Sequence, residues 1–106
     1  MDIRELCTYL FTHEGYNVNG YGNVASFLSA KTKPNLFLLD VQLPDGNGLD
    51  VCEKLKSNPI YTNIPVIIMS AQPQKGALIK NCHADDFVEK PFDIDKLLQR
   101  VAKLIN

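Results

Sequence analysis

The chain has no surplus of charge. Its 106 residues include 11 basic and 12 acidic side chains. That balance leaves no electrostatic footprint for DNA, RNA or an anionic membrane, so neither nucleic acid nor membrane is expected as a partner. No apolar run is long enough to cross a bilayer, and the N-terminus lacks the pattern of a secretory signal. Cysteine is scarce and scattered: Cys7, Cys52 and Cys82 show no CxxC spacing. This excludes a disulfide framework and suits small apolar core residues in a reducing cytoplasm. Zinc held by Cys82, His83 and His13 is disfavoured, because adjacent residues seldom both reach one metal. Internal repeats, low-complexity tracts and linkers are also missing. One domain over residues 1–106 is expected.

What is present centres on Leu36-Phe37-Leu38-Leu39-Asp40, followed by Val41-Gln42-Leu43-Pro44-Asp45-Gly46-Asn47-Gly48. A short apolar run without alternation reads as a strand buried on both faces. It ends in a carboxylate, and a loop rich in Pro and Gly follows. An aspartate after a strand is most often a cap or turn residue. Here the loop stays irregular for several residues, which leaves Asp40 at the strand tip.

Ahead of this strand, Ile3, Leu6, Cys7, Leu10 and Phe11 mark one face of a helix from about Asp2 to Glu14, with Gly15 as its left-handed terminator. Tyr16–Tyr21 alternates weakly and predicts a polar edge strand. A short helix from Asn23 to about Lys31 follows, with Val24, Phe27 and Leu28 inward. Beyond the loop, Leu49, Cys52 and Leu55 predict a helix that stops near Asn58-Pro59. Val66–Ser70 is a second buried strand. Ala77, Leu78, Ile79 and Cys82 mark a short helix ended by His83, and Asp86–Lys90 is a third strand, stopped by Pro91. Ile94, Leu97, Leu98, Val101, Leu104 and Ile105 line a final helix. Alternating elements of this kind predict an α/β fold, a doubly wound parallel sheet with right-handed crossovers.

Asp40, Ser70 and Lys90 then fall at three strand ends, all on one edge of a parallel sheet. A carboxylate nucleophile, a hydroxyl donor and a point cation suit handling of a phosphoryl group. Each alone is commonly a turn or surface residue; three in succession are much harder to assign that way.

Leu38-Leu39-Asp40, Leu43-Pro44-Asp45-Gly46-Asn47-Gly48, Pro65–Ala71, Ala84-Asp85-Asp86-Phe87 and Lys90-Pro91-Phe92 resemble, in order and spacing, the receiver domains of two-component response regulators. The resemblance covers essentially the whole chain and implies a flavodoxin-like fold. It implies that Asp40 is the phosphoacceptor for a histidine kinase or phosphotransfer protein, Ser70 the switch hydroxyl, Lys90 the phosphate-binding lysine and Phe87 the aromatic switch. It also implies Mg²⁺ at the Asp40 carboxylate and the Gln42 backbone carbonyl.

The family opens with a strand and an acidic pair, whereas this chain matches from the family's first helix onward. Four strands per chain are therefore expected, with the first central strand missing and Mg²⁺ weakened. Asp2 or Asp45 is a candidate stand-in for the acids. The bare edge of Leu36–Leu39 is expected to be covered by Tyr16–Tyr21 moving inward or by a second copy in a homodimer, or else the chain is a truncated, marginally stable version of a complete domain; pairing of copies is slightly preferred because Tyr16–Tyr21 is a poor internal strand. The expected function is a stand-alone receiver, not an enzyme, that signals to an output protein by contact. The alternative is a degenerate receiver that binds its partner without phosphorylation. An aspartate-nucleophile phosphohydrolase would place an acid at Gln42, and a flavin-binding protein would need a phosphate loop that is not present.

Overall fold

The computed structural model describes residues 3–21, 23–30, 33–43, 45–70, 83–89 and 93–105. Three strands form the parallel sheet: β1 (Phe37–Asp40), β4 (Val66–Ser70) and β5 (Asp86–Glu89), in the order β1-β4-β5. Between β1 and β4 lie a two-residue hairpin, β2 (Gln42–Leu43) and β3 (Gly46–Asn47), and helix α3 (Gly48–Ser57). Helices α1 (Ile3–His13) and α2 (Val24–Ala30) precede the sheet, and α4 (Ile94–Ile105) follows it.

The central strand shows why the fold is layered. Val66, Ile67 and Ile68 are all fully buried, so β4 is covered on both faces. One face carries Phe37, Leu39, Val66 and Ile68 against Leu49, Val51, Cys52 and Leu55, with Val24 and Phe27 of α2 at its margin. The other carries Ile67, Met69 and Val88 against Cys7 and Phe11 of α1 and Leu97 and Val101 of α4. Each such aliphatic side chain contributes roughly 1.5–3 kcal/mol by leaving water. Cys7 and Phe11 of α1, Leu49, Cys52 and Leu55 of α3, and Leu97, Leu98, Val101, Leu104 and Ile105 of α4 lie in these clusters as expected. Leu6 and Leu10 are half-buried. Leu28 and Ile94, also expected inward, are 43% and 39% exposed.

Tyr16–Tyr21 is a correction to the sequence expectation. It is described throughout and forms no strand, so among the described residues the parallel sheet has three strands instead of four. Tyr16 and Val18 still pack on the α1 side of the sheet, as their alternation predicts. Alternation places side chains, but a strand also requires a neighbour with free backbone groups. This segment does not pair with β1, and inward movement of Tyr16–Tyr21 is therefore not how the β1 edge is covered.

Helix ends follow local chemistry. Gly15 lies at φ +93°. Its N–H donates to Thr12 O at 3.0 Å and the Tyr16 N–H to Phe11 O at 3.0 Å, the paired bonds of a Schellman terminator. The Phe11 and Tyr16 rings meet edge-on across it, 5.9 Å apart. Asp93 caps α4 by accepting the Asp95 N–H at 2.9 Å. His83 occupies the left-handed region at φ +65°, as its place after the fourth predicted helix suggested. That helix itself, with Cys82, lies outside the described residues.

The amino-end edge of the sheet is tied by one lysine. Lys56 Nζ donates to Ile64 O at 2.9 Å and to Asp85 Oδ2 at 2.8 Å. The same carboxylate oxygen accepts the Val66 N–H at 2.8 Å, while the Asp85 N–H donates to Val66 O at 2.9 Å. Helix α3, the entry to β4 and the entry to β5 thus meet at one ion pair, whose lysine side chain is only 12% exposed.

Candidate phosphoryl-acceptor site

Asp40 ends β1 opposite Met69, and Ser70 is the next residue of β4. The Val41 N–H donates to Met69 O at 3.0 Å, carrying the pairing one step past Asp40. Ser70 stands opposite Glu89, the last residue of β5. Adjacent strands lie roughly 4.8 Å apart, so Asp40 and Ser70 share the carboxyl-end edge as neighbours. Asp40 is half-buried and Ser70 is 3% exposed. Both residues stand at the carboxyl end of the sheet.

The loop after Asp40 is held closely. The expectation of an irregular loop misses the β2–β3 hairpin, in which Gln42 pairs with Asn47 and Leu43 with Gly46. Its signal was legible as Pro44-Asp45-Gly46, the residue pattern of a tight turn. Asn47 caps α3, accepting the Leu49 N–H at 2.7 Å. The Gly48 N–H donates to Val41 O at 2.9 Å. The Gly48 Cα lies against the Asp40 carbonyl so closely that a Cβ there would overlap its oxygen. Glycine is required by this approach, not by its backbone angle.

Asp45 has a different role from the one expected of it. Its carboxylate accepts the Val24 N–H at 2.7 Å and the Ala25 N–H at 3.1 Å, in the first turn of α2. Those two donors hold the carboxyl below its ordinary value of 3.8. Asp45 is therefore engaged with α2 and is not placed as a spare metal ligand. Among the described residues no group of three or more His, Cys, Asp or Glu comes together as a metal site. These residues offer Mg²⁺ the Asp40 carboxylate and the Gln42 carbonyl. That is a thin set for a cation that wants octahedral oxygen, and it does not by itself make a magnesium site.

Phe87 is half-buried against the α2–α3 face of the core. Its carbonyl accepts Arg100 Nη1 at 2.7 Å, and the same nitrogen reaches Asp86 Oδ1 at 2.8 Å, which fastens α4 to β5. Lys90 follows Glu89 in sequence and lies outside the described residues, as does Asp2.

A carboxylate and a buried hydroxyl stand at the ends of adjacent parallel strands, beside a close-fitting loop. A family model for the response regulator receiver domain matches residues 1–102. The chain belongs to this family. Response regulator ArlR of Staphylococcus epidermidis is 35% identical over 98 residues, covering 89% of this chain and 43% of that protein. The receiver domain of a signal transduction histidine kinase from Syntrophus aciditrophicus superposes with a TM-score of 0.85 at 30% identity, over 95% of this chain and 80% of the other. Response regulator TrrA of Thermotoga maritima, solved with Mg²⁺ and BeF, gives 0.85 at 28% identity, over 96% and 89%. The fold of this receiver domain is thus flavodoxin-like, and its function class is two-component signal transduction. The receiver spans less than half the length of the curated relatives it matches. No helix among the described residues is long and apolar enough to cross a membrane.

Proposed function

We propose that Asp40 is the residue that accepts the phosphoryl group. The observation that carries this reading is the placement of Asp40 and Ser70 at adjacent strand ends in a chain of the receiver family. An Asp40 carboxylate oxygen attacks phosphorus, the bond from phosphorus to the donor histidine nitrogen breaks, and an acyl phosphate forms while the imidazole leaves. Ser70 then donates its hydroxyl to a phosphoryl oxygen. Lys90, one residue past β5, supplies a compensating positive charge. Phe87 is the aromatic group whose packing follows the change, so that a surface read by an output protein differs between the two forms. The donor is a histidine kinase or phosphotransfer protein. Cys7 and Cys52 are small buried residues, one in each core cluster, and a reducing, cytoplasmic setting is part of the same proposal.

Mg²⁺ is proposed to bind weakly through Asp40 and the Gln42 carbonyl. Among the described residues β1 has a strand neighbour on one side only, which supports pairing of two copies along that edge. Sedimentation over a range of concentrations tests this, and a strictly monomeric protein would remove it.

The acceptor assignment is tested by intact mass after incubation with acetyl phosphate and Mg²⁺. One added phosphoryl group in the wild type and none in Asp40→Asn is the expected result. Folded wild-type protein that gains no mass would favour the second reading, a receiver that docks its partner unphosphorylated.

A further inference from the structure

The β2–β3 hairpin is fastened to a helix that lies far from it in sequence. Asp45 and Val24 are 21 residues apart, yet both carboxylate oxygens of this exposed side chain take amides of α2. Helix α2 already has a local cap, since the Asn23 side chain accepts the Ser26 N–H at 2.8 Å. Asp45 takes two amides that this cap leaves open. Beside it the backbone of Gly46 approaches Val24, where an added Cβ would sit 2.9 Å from Val24 Cγ2. The hairpin is therefore held to α2 by one charged and one steric contact. It is held to β1 by the Gly48 N–H on Val41 O and by Gly48 against the Asp40 carbonyl. Helix α2 is itself seated at the other end of β1, where the Phe27 ring meets Phe37 edge-on at 5.6 Å.

We infer that Asp45 is a positioning residue for Asp40. By latching the hairpin to α2 it fixes Gly46 to Gly48, and through Gly48 it fixes the backbone of Asp40 itself. The consequence for reactivity rests on the reading of Asp40 as phosphoryl acceptor; the mechanical part does not. A nucleophile displaced by about 1 Å loses up to about 10²-fold in rate, so a loosened latch slows phosphoryl uptake without touching the reacting atoms.

Two measurements test this on the same proteins: wild type, Asp45→Ala and Asp45→Asn, the last keeping one acceptor oxygen. The first is amide hydrogen exchange, read by NMR on the unphosphorylated protein. Asp45→Ala is expected to speed exchange at Val24 and Ala25 and also at Gly48. Faster exchange confined to Val24 and Ala25 would mean that Asp45 is only a cap for α2, and would overturn the inference. The second is the rate of phosphoryl gain from acetyl phosphate, expected to fall about tenfold in Asp45→Ala, within the range that misplacement allows, and to recover substantially in Asp45→Asn. An unchanged rate in Asp45→Ala, with wild type reactive, would also overturn it. If wild type itself gains no phosphoryl group, the acceptor reading fails, and the Gly48 exchange still decides whether the latch exists.

Discussion

Replacing Gly48 by alanine tests the close approach of α3 to the Asp40 carbonyl. The new Cβ would overlap the Asp40 carbonyl oxygen, and would lie 2.8 Å from its carbon and 3.2 Å from Val41 Cα. Unbonded carbon atoms rest at about 3.5–4.0 Å, so the backbone on one side must retreat by roughly 1 Å. None of the obstructing atoms belongs to a side chain that can swing away. Forcing a methyl into such a site costs about 1–3 kcal/mol. Alanine returns up to about 1 kcal/mol through its better helix propensity at the start of α3. The balance is a loss of about 1–2 kcal/mol in stability, read as a lower urea midpoint at unchanged slope. Phosphoryl uptake should fall further than stability does, because the retreating backbone carries Asp40, the proposed acceptor. Gly46→Ala serves as comparison. Its Cβ meets a Val24 methyl group that can turn aside, so its effect should be smaller on both measures. If Gly48→Ala matched wild type in midpoint and in uptake rate, the close approach of α3 to the Asp40 carbonyl would be wrong.

Gly15→Ala should cost about 1–2 kcal/mol from backbone strain alone, since its φ is +93° and nothing lies within 4 Å of an added Cβ; urea denaturation reads it, and no change would remove the terminator argument. Lys56→Met should cost about 1–3 kcal/mol by leaving Ile64 O and the Asp85 carboxylate without their cation. Phosphoryl uptake by the folded fraction should stay at the wild-type rate, and a large loss of uptake would show that the two sheet edges are coupled. The Asp45 carboxyl is lower in the folded protein than its ordinary 3.8, so its contribution is fully present above that value and disappears as pH falls through the depressed folded one. The stability gap between wild type and Asp45→Asn should therefore close on acidification below pH 3.8, and a gap that widened instead would contradict the hydrogen bonds to α2.

The sequence made the core strands legible because β1 and β4 are short apolar runs flanked by breakers, and β5 is a short Phe-Val pair stopped by Pro91. Their polar ends, Asp40 and Ser70, were legible for the same reason, since in a parallel sheet strand ends share an edge. Two features were not. Tyr16–Tyr21 alternates as a strand would, but pairing depends on a neighbour that no local pattern encodes. Asp45 reads locally as one residue of a Pro-Asp-Gly turn; its partners, Val24 and Ala25, are about 20 residues away, and only the folded chain brings them within reach.

The Lys56 junction has a consequence for how the protein can change over time. It gathers α3 and the entries to β4 and β5 at the amino-end edge, whereas Asp40 and Ser70 stand at the opposite edge of the same sheet. Framework and chemistry are therefore at opposite poles. Substitutions around the proposed acceptor leave the fastening that keeps the layers assembled intact. Loss of Lys56 or Asp85 would loosen that fastening across the whole domain, even though neither residue is near Asp40.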